Sequence, residues 1–186
     1  MNEEILIDHC APTLASMKAA SLFTFYNTED IDVEKMIFEW NNLLNEKSVY
    51  VEILKQNKSS IQIYTYRPHK LKYVLNNPST KKLLTNLGYD TNRLDKCIDH
   101  LKKRIKNQDF PHEIGIFLDY PYEDVIGFIN NKGHKFIACG YWKVYDNYLE
   151  KIKLFNTYTK IRNSYKTLFN SGMNISQLTV KQKDIC

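Results

Sequence analysis

The chain has 186 residues, 43% of them hydrophobic and 13% aromatic, which is enough apolar material for one well-cored domain and too much for a disordered chain. Its net charge of +5 is mildly basic, with acids interspersed among the bases, so nucleic-acid binding is disfavoured and a solvated face is the plainer reading. No apolar run reaches bilayer length and the acidic start MNEEILIDHC has no basic n-region, so the expectation is a cytoplasmic protein with no membrane attachment.

In chain order, Pro12 to Phe25 is Ala-rich with near-helical apolar spacing and predicts a helix. Asp30 is a candidate cap for the next helix, whose stripe Val33, Met36, Ile37, Trp40, Leu43 and Leu44 runs to about Asn45. Two β-rich runs, 49–54 and 61–66, flank the polar segment KQNKSS and predict a hairpin. Pro68 opens a helix, Asn77-Pro78 opens another that Gly88 ends, and 92–106 is a third with Cys97 on its apolar stripe.

The run 114–118 is short and apolar, and is expected to be a strand. Pro121 opens a helix that Gly133 ends, 135–141 predicts a further strand, and Asp146 can cap a long last helix with a Tyr/Ile/Phe stripe. The expected fold is α/β, with α+β the alternative. It is one domain over residues 1–171 with a polar tail at 172–186, and a mixed sheet of about four strands that includes the hairpin and is packed by helices.

Four groups of residues can carry chemistry. Asp8-His9-Cys10 places an imidazole and a thiol next to each other, although neighbours in an extended segment point opposite ways. His112-Glu113 offers an acid, base or ligand with a carboxylate to orient it; Ile116 stands where an HExxH helix would need histidine. Asp119, Tyr120, Glu123 and Asp124 surround an expected strand-to-helix turn, the usual crevice position of an open α/β sheet. The acids there also suit a helix N-terminus. Cys139-Gly140-Tyr141-Trp142 combines a thiol, a residue that permits close approach, and two flat rings that can wall a pocket or fill a core. The four cysteines, Cys10, Cys97, Cys139 and Cys186, are widely spaced without CxxC and predict free thiols.

The segments HCAPTL from His9, FPHEIGIFL from Phe110, Tyr120-Pro121 followed by Glu123-Asp124-Val125-Ile126-Gly127-Phe128, and Gly140-Tyr141-Trp142-Lys143-Val144-Tyr145 resemble a largely clostridial group of anaerobe proteins, domain-of-unknown-function family 3793. The resemblance covers nearly the whole chain. Asp119 and Asp146 stand where members often carry glycine, and Ile161 lies near a position where many carry cysteine. The resemblance implies a bacterial, anaerobic setting close to iron uptake and flavodoxin, with no established activity to carry over.

Two functions are expected. The first is a non-enzymatic accessory or ligand-binding protein of anaerobic iron or redox metabolism. It would take iron, zinc or a tetrapyrrole, or a redox protein partner such as a flavodoxin. Its candidate metal ligands are His9, Cys10, His112 and Cys139, and its candidate ligand-binding residues are Asp119, Tyr120, Asp124, Tyr141 and Trp142. The second is a small enzyme of acyl or thiol chemistry, with Cys10 as nucleophile, His112 as base and Glu113 or Asp124 orienting it.

Overall fold

The computed structural model describes residues 3–26, 31–107 and 110–181. The candidate cap Asp30 and Cys186 lie outside the described residues. The protein is mixed α/β, and the chain divides into two compact units, Met1–Pro68 with Lys160–Cys186, and His69–Thr159.

The first unit opens with helix α1 (Glu3–Leu14), followed by strand β1 (Ala20–Tyr26). The helix expected at 12–25 is therefore displaced: Pro12 lies in the last turn of α1, and Ser16 takes a left-handed φ of 57° just after it. From Leu22 onward Phe23 and Phe25 are buried while Thr24 and Tyr26 are exposed, the period-two pattern of a strand. The aromatic and β-branched content of FTFY overrode the local alanine count.

Helix α2 (Val33–Leu44) is capped by Asp32, whose side chain accepts from the Lys35 N–H. Strands β2 (Tyr50–Gln56) and β3 (Ser60–Tyr66) form the expected hairpin, with a bulge at Leu54. The sheet order is β1-β3-β2, all antiparallel, so it has three strands and is not mixed. Register places Phe23 opposite Ile63 and Phe25 opposite Ile61, so one sheet face is continuously apolar. It belongs to a core with Leu6, Ile7 and Leu14 of α1 and Met36, Trp40 and Leu44 of α2.

Ile175 and Leu178 are part of this core. Helix α9 (Ile175–Leu178) carries an Asn174/Gln177 capping box and buries Ile175 and Leu178. The Val180 N–H donates to the Leu14 carbonyl at 3.0 Å. Arg67, fully buried, donates to four backbone carbonyls: Thr13 (2.6 Å), Leu14 (2.7 Å), Val180 (2.8 Å) and Lys47 (3.2 Å). It satisfies carbonyls that the end of α1 leaves without helical partners. Burial lowers its pKa to about 10, so it stays charged near neutrality. The polar segment after Gly172 is thus docked through Val180.

The second unit contains α3 (Pro68–Asn76, entering from its first residue), α4 (Pro78–Asn86), α5 (Leu94–Asn107), α6 (Ile114–Phe117) and α7 (Tyr122–Asn130). A two-residue pairing, β4 (Ala138–Cys139) with β5 (Lys143–Val144), follows, and then α8 (Tyr148–Asn170), whose residues through Thr159 belong here. Two strands expected from sequence are corrected. Residues 114–117 are a helical turn, because an apolar run buried on all sides carries no period that distinguishes helix from strand. Residues 135–141 are mostly a loop that ends in β4, and the chain reverses at Gly140, Tyr141 and Trp142. Among the described residues no helix is long and apolar enough to cross a membrane.

Candidate functional site

The second unit contains a cleft of about 380 Å³. Its walls come from three consecutive pieces of chain: the lead-in to α6 with its following turn, the α7 helix, and the β4–β5 hairpin. Tyr120, Phe128, Tyr141 and Trp142 supply the flat surfaces. His112, Cys139 and Lys143, each with a polar group, also line it. The volume is at the small end of ligand pockets.

The hairpin is held from below by Asp124. This carboxylate, on α7 and 2% exposed, accepts from the Trp142 indole N–H at 2.7 Å, from the Tyr145 N–H at 2.7 Å, and from the Asp146 N–H at 3.3 Å. Trp142 stacks on Tyr120, with ring centres 4.9 Å apart, and meets Phe155 edge-on at 4.6 Å. Gly140 is required by that packing: a Cβ there would lie 2.4 Å from the Phe155 ring. The close approach expected at this glycine is made by Phe155. Gly115 likewise lets Val125 and Tyr120 come close, since an added Cβ would lie 2.8 Å from a Val125 methyl.

Lys143 crosses the hairpin. Its ammonium donates to the Gly133 carbonyl at 2.8 Å and lies 4.8 Å from the Phe136 ring centre and 5.6 Å from that of Phe128. No carboxylate among the described residues pairs with it. His112 is exposed and meets Phe128 edge-on at 5.0 Å. Burial pushes the Tyr120 phenol up to about 12, which keeps it neutral and removes it as a proton carrier near pH 7.

The cleft gathers four of the five expected ligand-binding residues, Tyr120, Asp124, Tyr141 and Trp142. Asp119 does not line it; it takes a left-handed φ of 59° after α6, a conformation that Asp tolerates. The strand ending at Leu118 and the sheet crevice expected here are replaced by a helical turn and a hairpin, around which the residues come together. Asp124 is also corrected in role, since its oxygens are spent on holding the hairpin. Glu123 pairs with Lys151 of α8 at 2.7 Å, beyond any service to the α7 dipole.

The remaining candidates are placed differently. Cys10 is fully buried in the first unit, its thiol 3.4 Å from the Thr65 hydroxyl, and burial raises its pKa to about 12. Such a thiol is a poor nucleophile and a poor metal ligand. His9 stacks face-on against Phe23, ring centres 4.7 Å apart. Desolvation holds the His9 imidazole below its usual pKa, against the opposing field of Asp8. Glu113 does not orient His112. It is buried, and accepts from the Tyr89 hydroxyl at 3.0 Å and from the Arg104 guanidinium. Cys139 is exposed at the cleft and Cys97 is buried. Among the described residues no three His, Cys, Asp and Glu side chains converge as a metal site requires.

Lys143, the group the sequence reading missed, could have been flagged as the only charged residue inside the GYWKVY segment.

Comparison with curated proteins and with solved structures returns no match. A family model matches residues 6–179 of the 186, and the chain therefore belongs to the family described as protein of unknown function, DUF3793.

Proposed function

We propose that this protein is a non-enzymatic ligand-binding protein, an accessory of anaerobic iron or redox metabolism, whose ligand is a small flat molecule held in the cleft of the second unit. The observation that carries this reading is the cleft itself. Aromatic rings wall it, a buried carboxylate fixes its wall, and its polar atoms sit at a few separate points. That is how sites for flat organic ligands are commonly built. Preorganisation by Asp124 means that little order remains to be imposed on binding.

The groups a reaction would need are committed elsewhere. Cys10 is buried against Thr65, and Glu113 is held by Tyr89 and Arg104. This favours binding over the Cys10–His112 enzyme. The metabolic setting, and a cytoplasmic redox partner such as a flavodoxin, come from the clostridial resemblance.

The test is to purify the protein anaerobically, measure bound metals and visible absorption, and then titrate with ferrous iron, zinc, haem and flavin mononucleotide. The expected result is saturable binding of a flat conjugated molecule that the Trp142→Ala variant loses. Binding of every probe no tighter than to an unrelated free-thiol protein of similar size would remove the reading. A pull-down from anaerobic cell extract tests the partner.

A further inference from the structure

Resting on that reading, we infer that the cleft selects flat aromatic molecules that carry a negative charge, with Lys143 as the residue that reads the charge. The cleft holds one carboxylate, Asp124, and its two oxygens already accept three hydrogen bonds from the hairpin. It is 2% exposed, so little of it is open to a ligand. The other two titratable nitrogen groups at the cleft are donors with capacity left. Lys143 has three N–H groups and spends one on Gly133. His112 has a ring contact with Phe128 and no hydrogen-bond partner among the described residues. Phe128 and Phe136 shield the ammonium from part of its water, which strengthens its attraction for an anion. An aromatic ring lying along Tyr120 and Trp142 would carry its acidic substituent towards Lys143. A cationic ligand would meet no free carboxylate there.

Three probes of one shape separate charge from shape: 2-naphthoate, 2-naphthylmethanol and 2-naphthylmethylammonium. Binding is measured by calorimetry at low salt. Its place is measured by protection of Cys139, the exposed described cysteine, from iodoacetamide in a Cys186→Ser background. We expect the carboxylate to bind about tenfold tighter than the alcohol, as one charge-assisted hydrogen bond would give, and the ammonium more weakly than both. Bound carboxylate should slow alkylation of Cys139. Lys143→Met should erase the preference, bringing the carboxylate to the affinity of the alcohol; Lys143→Arg should keep the preference.

If the alcohol and the ammonium bind as tightly as the carboxylate while all three protect Cys139, charge selection is refuted and the ligand-binding cleft stands. If the carboxylate binds without protecting Cys139, the charge is read elsewhere and the inference falls. If none of the three binds, the inference and the reading beneath it fall together. Should Lys143→Met fail to fold, the comparison of the three probes on the unmodified protein still decides.

Discussion

Removing the Asp124 carboxylate should open the second unit at its most connected point. Asp124→Ala leaves the buried Trp142 indole N–H and the partly buried Tyr145 N–H without an acceptor. The third donor, the Asp146 N–H, belongs to an exposed residue and can turn to solvent. Two stranded donors at about 1.5 kcal/mol each give a loss of about 3 kcal/mol. Asp124→Asn keeps one acceptor oxygen but turns an NH₂ group towards one of the donors, so about half of that loss is expected. The assay is urea unfolding followed by the fluorescence of Trp142 in a Trp40→Phe background, which reports the second unit alone. A double-mutant cycle with Trp142→Phe, followed by far-ultraviolet circular dichroism because that variant removes the fluorescent reporter, should return a coupling of about 1–2 kcal/mol. Equal stability of the alanine and asparagine variants, or a loss below about 0.5 kcal/mol for alanine, would show that the carboxylate does not hold the hairpin.

In the first unit, Arg67→Met removes four hydrogen bonds to backbone carbonyls, although Thr13 and Leu14 keep donors from Ser16 and Val180, and should cost about 2–3 kcal/mol in urea unfolding. Arg67→Lys should recover little of it, because an ammonium cannot reproduce the guanidinium fork. Gly140→Ala drives a Cβ to 2.4 Å from Phe155 and should destabilise by about 1–3 kcal/mol, with a shift in Trp142 emission. His9 has a folded-state pKa below its usual 6.5, so the unfolded chain takes up this proton first as pH falls. Its effect is absent above about pH 6.5 and grows as the pH drops towards the folded value. The urea midpoint should therefore fall between about pH 7.5 and pH 5, and His9→Phe should flatten the fall; an unchanged slope would refute it.

Much of the architecture was legible in the sequence. The apolar stripe of α2, the KQNKSS turn between two alternating runs, Asn77-Pro78 and the tyrosine-rich stripe of α8 each match a local rule, and each formed the element that rule predicts. The failures have local causes. IGIFL is buried on every side, so its residues carry no polar beat to set a period. ASLFTFY begins with small residues that suit a helix and ends in a strand because Ile61 and Ile63 pair with it from residues far along the chain. The aromatic wall could be named from the crowding of Tyr120, Tyr141 and Trp142. The spending of Asp124 on the hairpin could not, because it depends on a tertiary approach between residues 18 to 22 positions apart.

The latch around Arg67 bears on how the chain is made. Glu3 accepts from the Ile175 N–H at 3.1 Å, Leu14 from Val180, and the whole of His69–Thr159 is spliced between the two parts of the first unit. During synthesis the spliced segment leaves the ribosome complete while the first unit still lacks α9 and the end of α8. The usual order, in which the N-terminal portion finishes first, is therefore inverted. The early sheet, with α1 and α2 on it, must wait with its core lacking Ile175 and Leu178 and with the Arg67 guanidinium one acceptor short. Stalling or proteolysis short of residue 180 would yield a chain with a finished second unit and an open first one, the form on which chaperones and quality control would act.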